Sequence, residues 1–101
     1  MTLEYILQPR VLVVLKELNW GDRFESDLQQ KISEISGGPE SLADIRNELL
    51  KNGLILQLKG GQGSPYLSLT YKGQLIVDRL LETEEMLASE DVDQSGALPQ
   101  E

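Results

Sequence analysis

The sequence predicts a small α+β domain, mainly α, built as three helices, a β-hairpin and a last helix. Three observations predict it. Apolar residues recur at helical spacing in three successive stretches between Pro9 and Asn52. Two short β-capable runs, 54–59 and 66–70, then flank a glycine-rich loop. A further apolar-periodic stretch follows Thr70, a residue suited to cap a helix. At 101 residues the chain makes one domain, able to bury about two-thirds of its unfolded-chain surface.

Residues 1–8 include Leu3, Tyr5, Ile6 and Leu7 and read as a short arm or helical turn. Pro9 suits the first turn of a helix, and Val11, Leu12, Val14, Leu15 and Leu18 carry that helix over 9–19, with Val13 widening its apolar arc. Trp20-Gly21-Asp22 ends it. Trp20 fits a core or interface position better than a ligand platform. Phe24, Leu28, Ile32 and Ile35 repeat at i, i+4, i+8 and i+11. Ser26 followed by Gln29 fits a capping box, which predicts a second helix over 25–34 with Phe24 as the apolar plug at its start. Ser36-Gly37-Gly38-Pro39 breaks the chain, and Pro39 suits the start of a third helix, 39–52. Leu42, Ile45 and Leu49 make one narrow apolar stripe on it. Asn52-Gly53 closes it, because glycine adopts the left-handed turn past a helix end at least cost. The loop 60–65, Gly-Gly-Gln-Gly-Ser-Pro, is too glycine-rich for helix and joins the two runs as a hairpin. The last helix is predicted over 71–87, capped by Thr70.

Composition narrows the function. There is no Cys and no His, so disulfides, thiol chemistry and the usual zinc sites are excluded, and the commonest general base is missing. No pair of converging carboxylates or glycine fingerprint is visible. The loop at 60–65 lacks the Lys-Ser/Thr of a phosphate loop. The chain is therefore expected not to be an enzyme and to need no cofactor. No apolar run reaches the ~18–20 residues of a membrane span, and the N-terminus lacks a basic start and apolar signal core. A cytoplasmic protein without a membrane partner is expected.

The net charge is −8, from 17 acids and 9 bases. Residues 82–101 hold seven acids and no base, leaving 10 acids against 9 bases in residues 1–81, a net of −1. The body is nearly neutral and the end of the chain carries the charge. Residues 88–101 are expected to form an acidic, disordered tail, after a folded domain of residues 1–87. That tail would solubilise the chain, or compete with an anionic partner for the bases of the body.

Leu49-Leu50-Lys51-Asn52-Gly53-Leu54-Ile55 resembles the L-x-x-x-G-L-I end of the recognition helix in the PadR and MarR families of transcriptional regulators. Leu67-Ser68-Leu69-Thr70-Tyr71-Lys72-Gly73 resembles the L-T-x-K-G step from wing to last helix in the same families. With a wing-length insert between them, the two motifs imply a winged helix-turn-helix domain: a three-helix core, a β-hairpin wing and a C-terminal helix. The resemblance covers residues 10–87. It implies a DNA-binding transcriptional regulator, read as a repressor, whose partner is double-stranded DNA. It also implies that the last helix packs against a second subunit, with the N-terminal arm joining it.

On that reading the third helix, 39–52, enters the major groove and the wing, 59–66, meets backbone or minor groove. A helical wheel puts Glu40, Ala43, Asp44, Asn47 and Lys51 opposite the apolar stripe, with Arg46 near its edge. Asn47 suits a bidentate pairing with adenine and Arg46 with guanine. Ser41 is placed to bond a phosphate, Lys51 and Lys59 to meet the backbone, and Gln62 stands at the wing tip. Each has a plainer alternative: Asn47 is simply solvated, and Lys51 answers the helix dipole. Glu40 and Asp44 would be repelled by phosphate, which keeps open a second reading, a winged-helix module that binds protein and not DNA.

The last helix carries two apolar stripes, Ile76-Leu80-Leu87 and Val77-Leu81. One domain core would use the first. The second, with Leu3, Ile6 and Leu7 of the arm, predicts the interface of a two-fold homodimer.

Overall fold

Leu42, Ile45 and Leu49 are all buried, and so is most of what they pack on. A computed structural model describes residues 1–36 and 41–89, in the order α1 (Leu3–Ile6), α2 (Pro9–Trp20), β1 (Arg23–Phe24), α3 (Glu25–Ser33), α4 (Leu42–Lys51), β2 (Ile55–Lys59), β3 (Pro65–Leu69) and α5 (Tyr71–Ala88). Val11, Val14, Leu15 and Leu18 of α2 and Leu28 and Ile32 of α3 close over the α4 stripe. Leu54, Ile55 and Leu67 cover it from the sheet side, and Val77 from α5. Pro39, Glu40 and the acidic tail from Glu90 onward, all used in the sequence reading, lie outside the described residues.

Helix starts follow local chemistry. Thr2 caps α1 by accepting the Tyr5 N–H at 3.2 Å. Ser41 caps α4 the same way, accepting from Asp44 at 3.2 Å, so α4 begins at Leu42 and not at Pro39. The expected Ser26–Gln29 capping box is not formed: Phe24 holds the cap position of α3 and makes no side-chain cap bond. Instead α3 is anchored at its far end, where Arg10 donates to the Ile35 carbonyl at 2.9 and 3.1 Å.

The hairpin is part of a three-stranded antiparallel sheet in the order β1-β3-β2. The edge strand β1 was not expected, because two residues carry no periodicity. Its register aligns Arg23 with Leu67 and Gln57, and Phe24 with Tyr66 and Leu58. Side chains alternate across a sheet, so the first row turns toward the helices and the second outward. Phe24 is 46% exposed and meets Tyr66 edge-on at 6.0 Å between centroids. It is therefore a strand residue on the open face, not the plug of α3.

The two motifs that carried the resemblance meet in space. Gly53, at φ +76, lets its N–H reach the Leu50 carbonyl and the Leu54 N–H reach Leu49, both at 3.0 Å, the paired bonds of a Schellman motif. Thr70 then stitches this corner to α5. Its Oγ1 accepts the Gly73 N–H at 3.0 Å and donates to the Gly53 carbonyl at 2.6 Å, while Lys72 donates to the Asn52 carbonyl at 3.0 Å. A Cβ on Gly73 would stand 2.0 Å from the Leu54 carbonyl oxygen. Only a glycine lets α5 approach the chain leaving α4 this closely.

That approach fixes the face that α5 turns inward. Val77 is buried in the core, while Ile76, Leu80 and Leu81 are only partly covered and Leu87 is 82% exposed. The predicted division is thus corrected: Val77, assigned to a partner, belongs to the domain itself. Ile6 is buried too, whereas Leu3 and Leu7 are exposed. Trp20, expected in a core or interface, is 80% exposed in this chain.

Candidate nucleic-acid interface

α4 is held from behind by its apolar stripe, and its Schellman turn leads into β2, so the outer face of α4 and the wing are neighbours in the chain. Ala43, Asp44, Asn47 and Lys51 are exposed on that outer face. The wing loop turns back through Gly60, whose N–H reaches the Ser64 carbonyl at 2.8 Å, and Gly63, whose N–H reaches the Gly60 carbonyl at 2.9 Å. Gly63 needs its positive φ of +81 for this. Gln62 and Lys59 are exposed on either side of the turn.

Two of the six expected contacts are already engaged inside the protein. The Ser41 hydroxyl is the cap of α4, a role worth about 1 kcal/mol. Arg46 does not reach outward. Its Nη1 donates to Glu25 Oε1 at 2.7 Å, and its Nε to the Asn47 side-chain oxygen at 3.2 Å. Glu25 is 8% exposed, and its second oxygen accepts from Gln57 of β2. Withdrawing the guanidinium to pair with a guanine would strand a largely buried carboxylate. Breaking a buried pair costs about 3–5 kcal/mol, against about 1–3 kcal/mol for one bidentate base contact. In this structure the guanidinium expected to pair with guanine is held by Glu25 and Asn47. Sequence reasoning missed Glu25 and Gln57 altogether. The only signal for Glu25 was an acid in the first turn of a helix, which the dipole favours without any partner.

The other bases sort clearly. Lys16 pairs with Glu84, Arg23 and Lys31 with Glu17, and Arg79 with Glu82. Arg10 and Lys72 donate to backbone carbonyls. Among the described residues, Lys51 and Lys59 are the Lys and Arg side chains with neither an ion pair nor a hydrogen bond. One ends the exposed side of α4 and the other ends β2 before the wing turn.

Away from this face, α2 and α5 leave an apolar cleft of about 160 Å³, lined by Leu7, Leu12, Leu15, Leu80, Leu81 and Leu87 among others. The Lys16–Glu84 pair lies at the same cleft.

Three helices, a wing and a closing helix in this arrangement define a winged helix-turn-helix fold, and solved transcriptional regulators share it. HlyU from Vibrio cholerae N16961 superposes with a TM-score of 0.63 at 17% identity, over 80% of this chain and 85% of that one. A MarR family regulator from Neisseria meningitidis gives 0.65 at 23% identity, over 84% of this chain and 60% of its own length. A transcriptional regulator from Clostridium thermocellum gives 0.62 at 22% identity, over 86% and 90%. No family model matches the chain, and no curated protein matches it in sequence. At these identities the likeness is one of fold.

Proposed function

We propose that this chain is a DNA-binding transcriptional regulator that works as a homodimer, with α4 in the major groove and the wing against the backbone or minor groove. The observation that carries the reading is the pair Lys51 and Lys59: every other Lys and Arg side chain of the described residues is committed within the protein, and these two are exposed, one at the end of α4 and one at the wing. Asn47 and Gln62 supply exposed hydrogen-bonding groups beside them. Arg46 and Ser41 support the surface from within. Repression, the sense in which the sequence was read, belongs to the same proposal.

Dimerisation is proposed through the α2–α5 cleft and the exposed end of α5. Leu81 and Leu7 line that cleft, and Leu87 and the arm's Leu3 are exposed. A two-fold pairing of this face would cover leucines that the domain leaves in water.

The test is titration of a mixed-sequence duplex at about 50 and 200 mM salt. Four lysines per dimer predict log K falling against log salt with a slope of about −4, since each neutralised phosphate contributes about −0.9. Absence of binding at the lower salt would favour the protein-binding module instead, for which exposed Asp44 on α4 is the supporting feature.

A further inference from the structure

The carboxylate of Glu25 is where three elements meet. It sits in the first turn of α3, takes Arg46 from α4 on one oxygen, and takes Gln57 from β2 on the other. Gln57 lies in the middle of β2, in the row with Leu67 and Arg23 that faces the helices. On the other strand of the hairpin, β3 pairs with β1 at Arg23 and Phe24 and buries Leu67 in the core, which anchors that side. On the β2 side, the bonded link from mid-strand to the neighbouring helix runs from Gln57 through Glu25 to Arg46. We infer that Glu25 is a positioning residue: it fixes the wing relative to the recognition helix, with Arg46 and Gln57 as its two arms, so that Lys51 and Lys59 are held at one spacing. This deepens the DNA-binding reading and rests on it.

The geometry favours this role over a reserve cation that leaves Glu25 for DNA. Arg46 has a side chain only 24% exposed and Glu25 one 10% exposed. The guanidinium also spends its Nε on Asn47, which holds that side chain against the helix surface. Asn47 is thereby oriented by the same network. A charge-assisted bond at this burial is stronger than an exposed one, and both carboxylate oxygens are used.

The experiment uses the full chain and three variants, Glu25→Gln, Arg46→Met and Gln57→Ala, plus the double variant Glu25→Gln/Arg46→Met. Gln57 is surface-exposed, so Gln57→Ala folds even if the buried substitutions do not. Hydrogen exchange of the β2 amides is measured without DNA, and affinity for a mixed-sequence duplex is measured across salt. A positioning role predicts faster exchange in β2 for Glu25→Gln and Gln57→Ala. It predicts affinity losses of about tenfold for Glu25→Gln and Arg46→Met, the scale of one lost charged hydrogen bond. The double variant should lose no more than either single, because the two share one interaction. The salt slope should stay that of the wild type, since no phosphate contact is removed. Tighter binding by Glu25→Gln, or a slope reduced by about two in Arg46→Met, one contact from each subunit, would make Arg46 a DNA contact and overturn the inference. Unchanged exchange in β2 of Gln57→Ala would overturn it without DNA. Failure of the wild type to bind DNA would strike the regulator reading, while the exchange measurement still decides the wing's attachment.

Discussion

The corner between α4 and α5 and the cleft between α2 and α5 lie at successive levels along one face of α5, which turns Gly73 to the corner and Val77, Leu80 and Leu87 to the cleft, and they are finished differently. At the corner, Asn52, Gly53 and Leu54 present carbonyls that Lys72 and Thr70 satisfy, and Gly73 gives up its side chain so that the backbones touch. In the cleft, leucines from both helices face a cavity, and α5 runs on past Thr83 with exposed Met86 and Leu87. The difference teaches where this chain is complete and where it is open: its polar seams are closed within the domain, and its unmet demand is apolar.

Five substitutions break or sharpen that contrast. Gly73→Ala acts on the closed side and should be the most damaging. A methyl 2.0 Å from the Leu54 oxygen forces α5 away, with an expected loss of about 3 kcal/mol; thermal unfolding should fall by more than about 10 °C, and an unchanged midpoint would refute the corner's tightness. Thr70→Val keeps the shape but removes both the cap and the bond to Gly53. It should cost about 1–2 kcal/mol in urea denaturation, with an unchanged slope against denaturant. On the open side, Leu87→Glu should leave a monomer's stability within about 0.5 kcal/mol. It should raise the dimer dissociation constant about tenfold or more in sedimentation experiments. If the wild type sediments as a monomer at high concentration, the cleft has been misread. Smallest of all in stability are Lys51→Ala and Lys59→Ala, expected to leave the melting temperature in place because neither side chain is bonded.

Much of this was legible in the chain. The α4 stripe, the Gly53 stop, the Thr70 cap and the wing turn all rest on local spacing or backbone preference, which sequence carries directly. What failed to show was set at a distance. The inward face of α5 follows from the contact of Gly73 with Leu54, so a wheel drawn on α5 alone put Val77 outward and Leu87 inward. β1 exists only because β3 is beside it. Ser26 was passed over as a cap because the chain reaches α3 from a strand and starts the helix at Glu25, two residues before a Ser26 cap would. Within the candidate site, exposure of Asn47, Lys51, Lys59 and Gln62 could be read from periodicity. The fate of Arg46 could not, because its partner lies 21 residues away on another helix.

The account turns on Lys51 and Lys59 being the cations this surface keeps for phosphate. The direct measurement is the salt dependence of duplex binding by the wild type and by Lys51→Ala/Lys59→Ala. The wild type should show a slope of about −4, and the double variant should lose most of that slope together with most of its low-salt affinity. Equal slopes and affinities for the two proteins would contradict it.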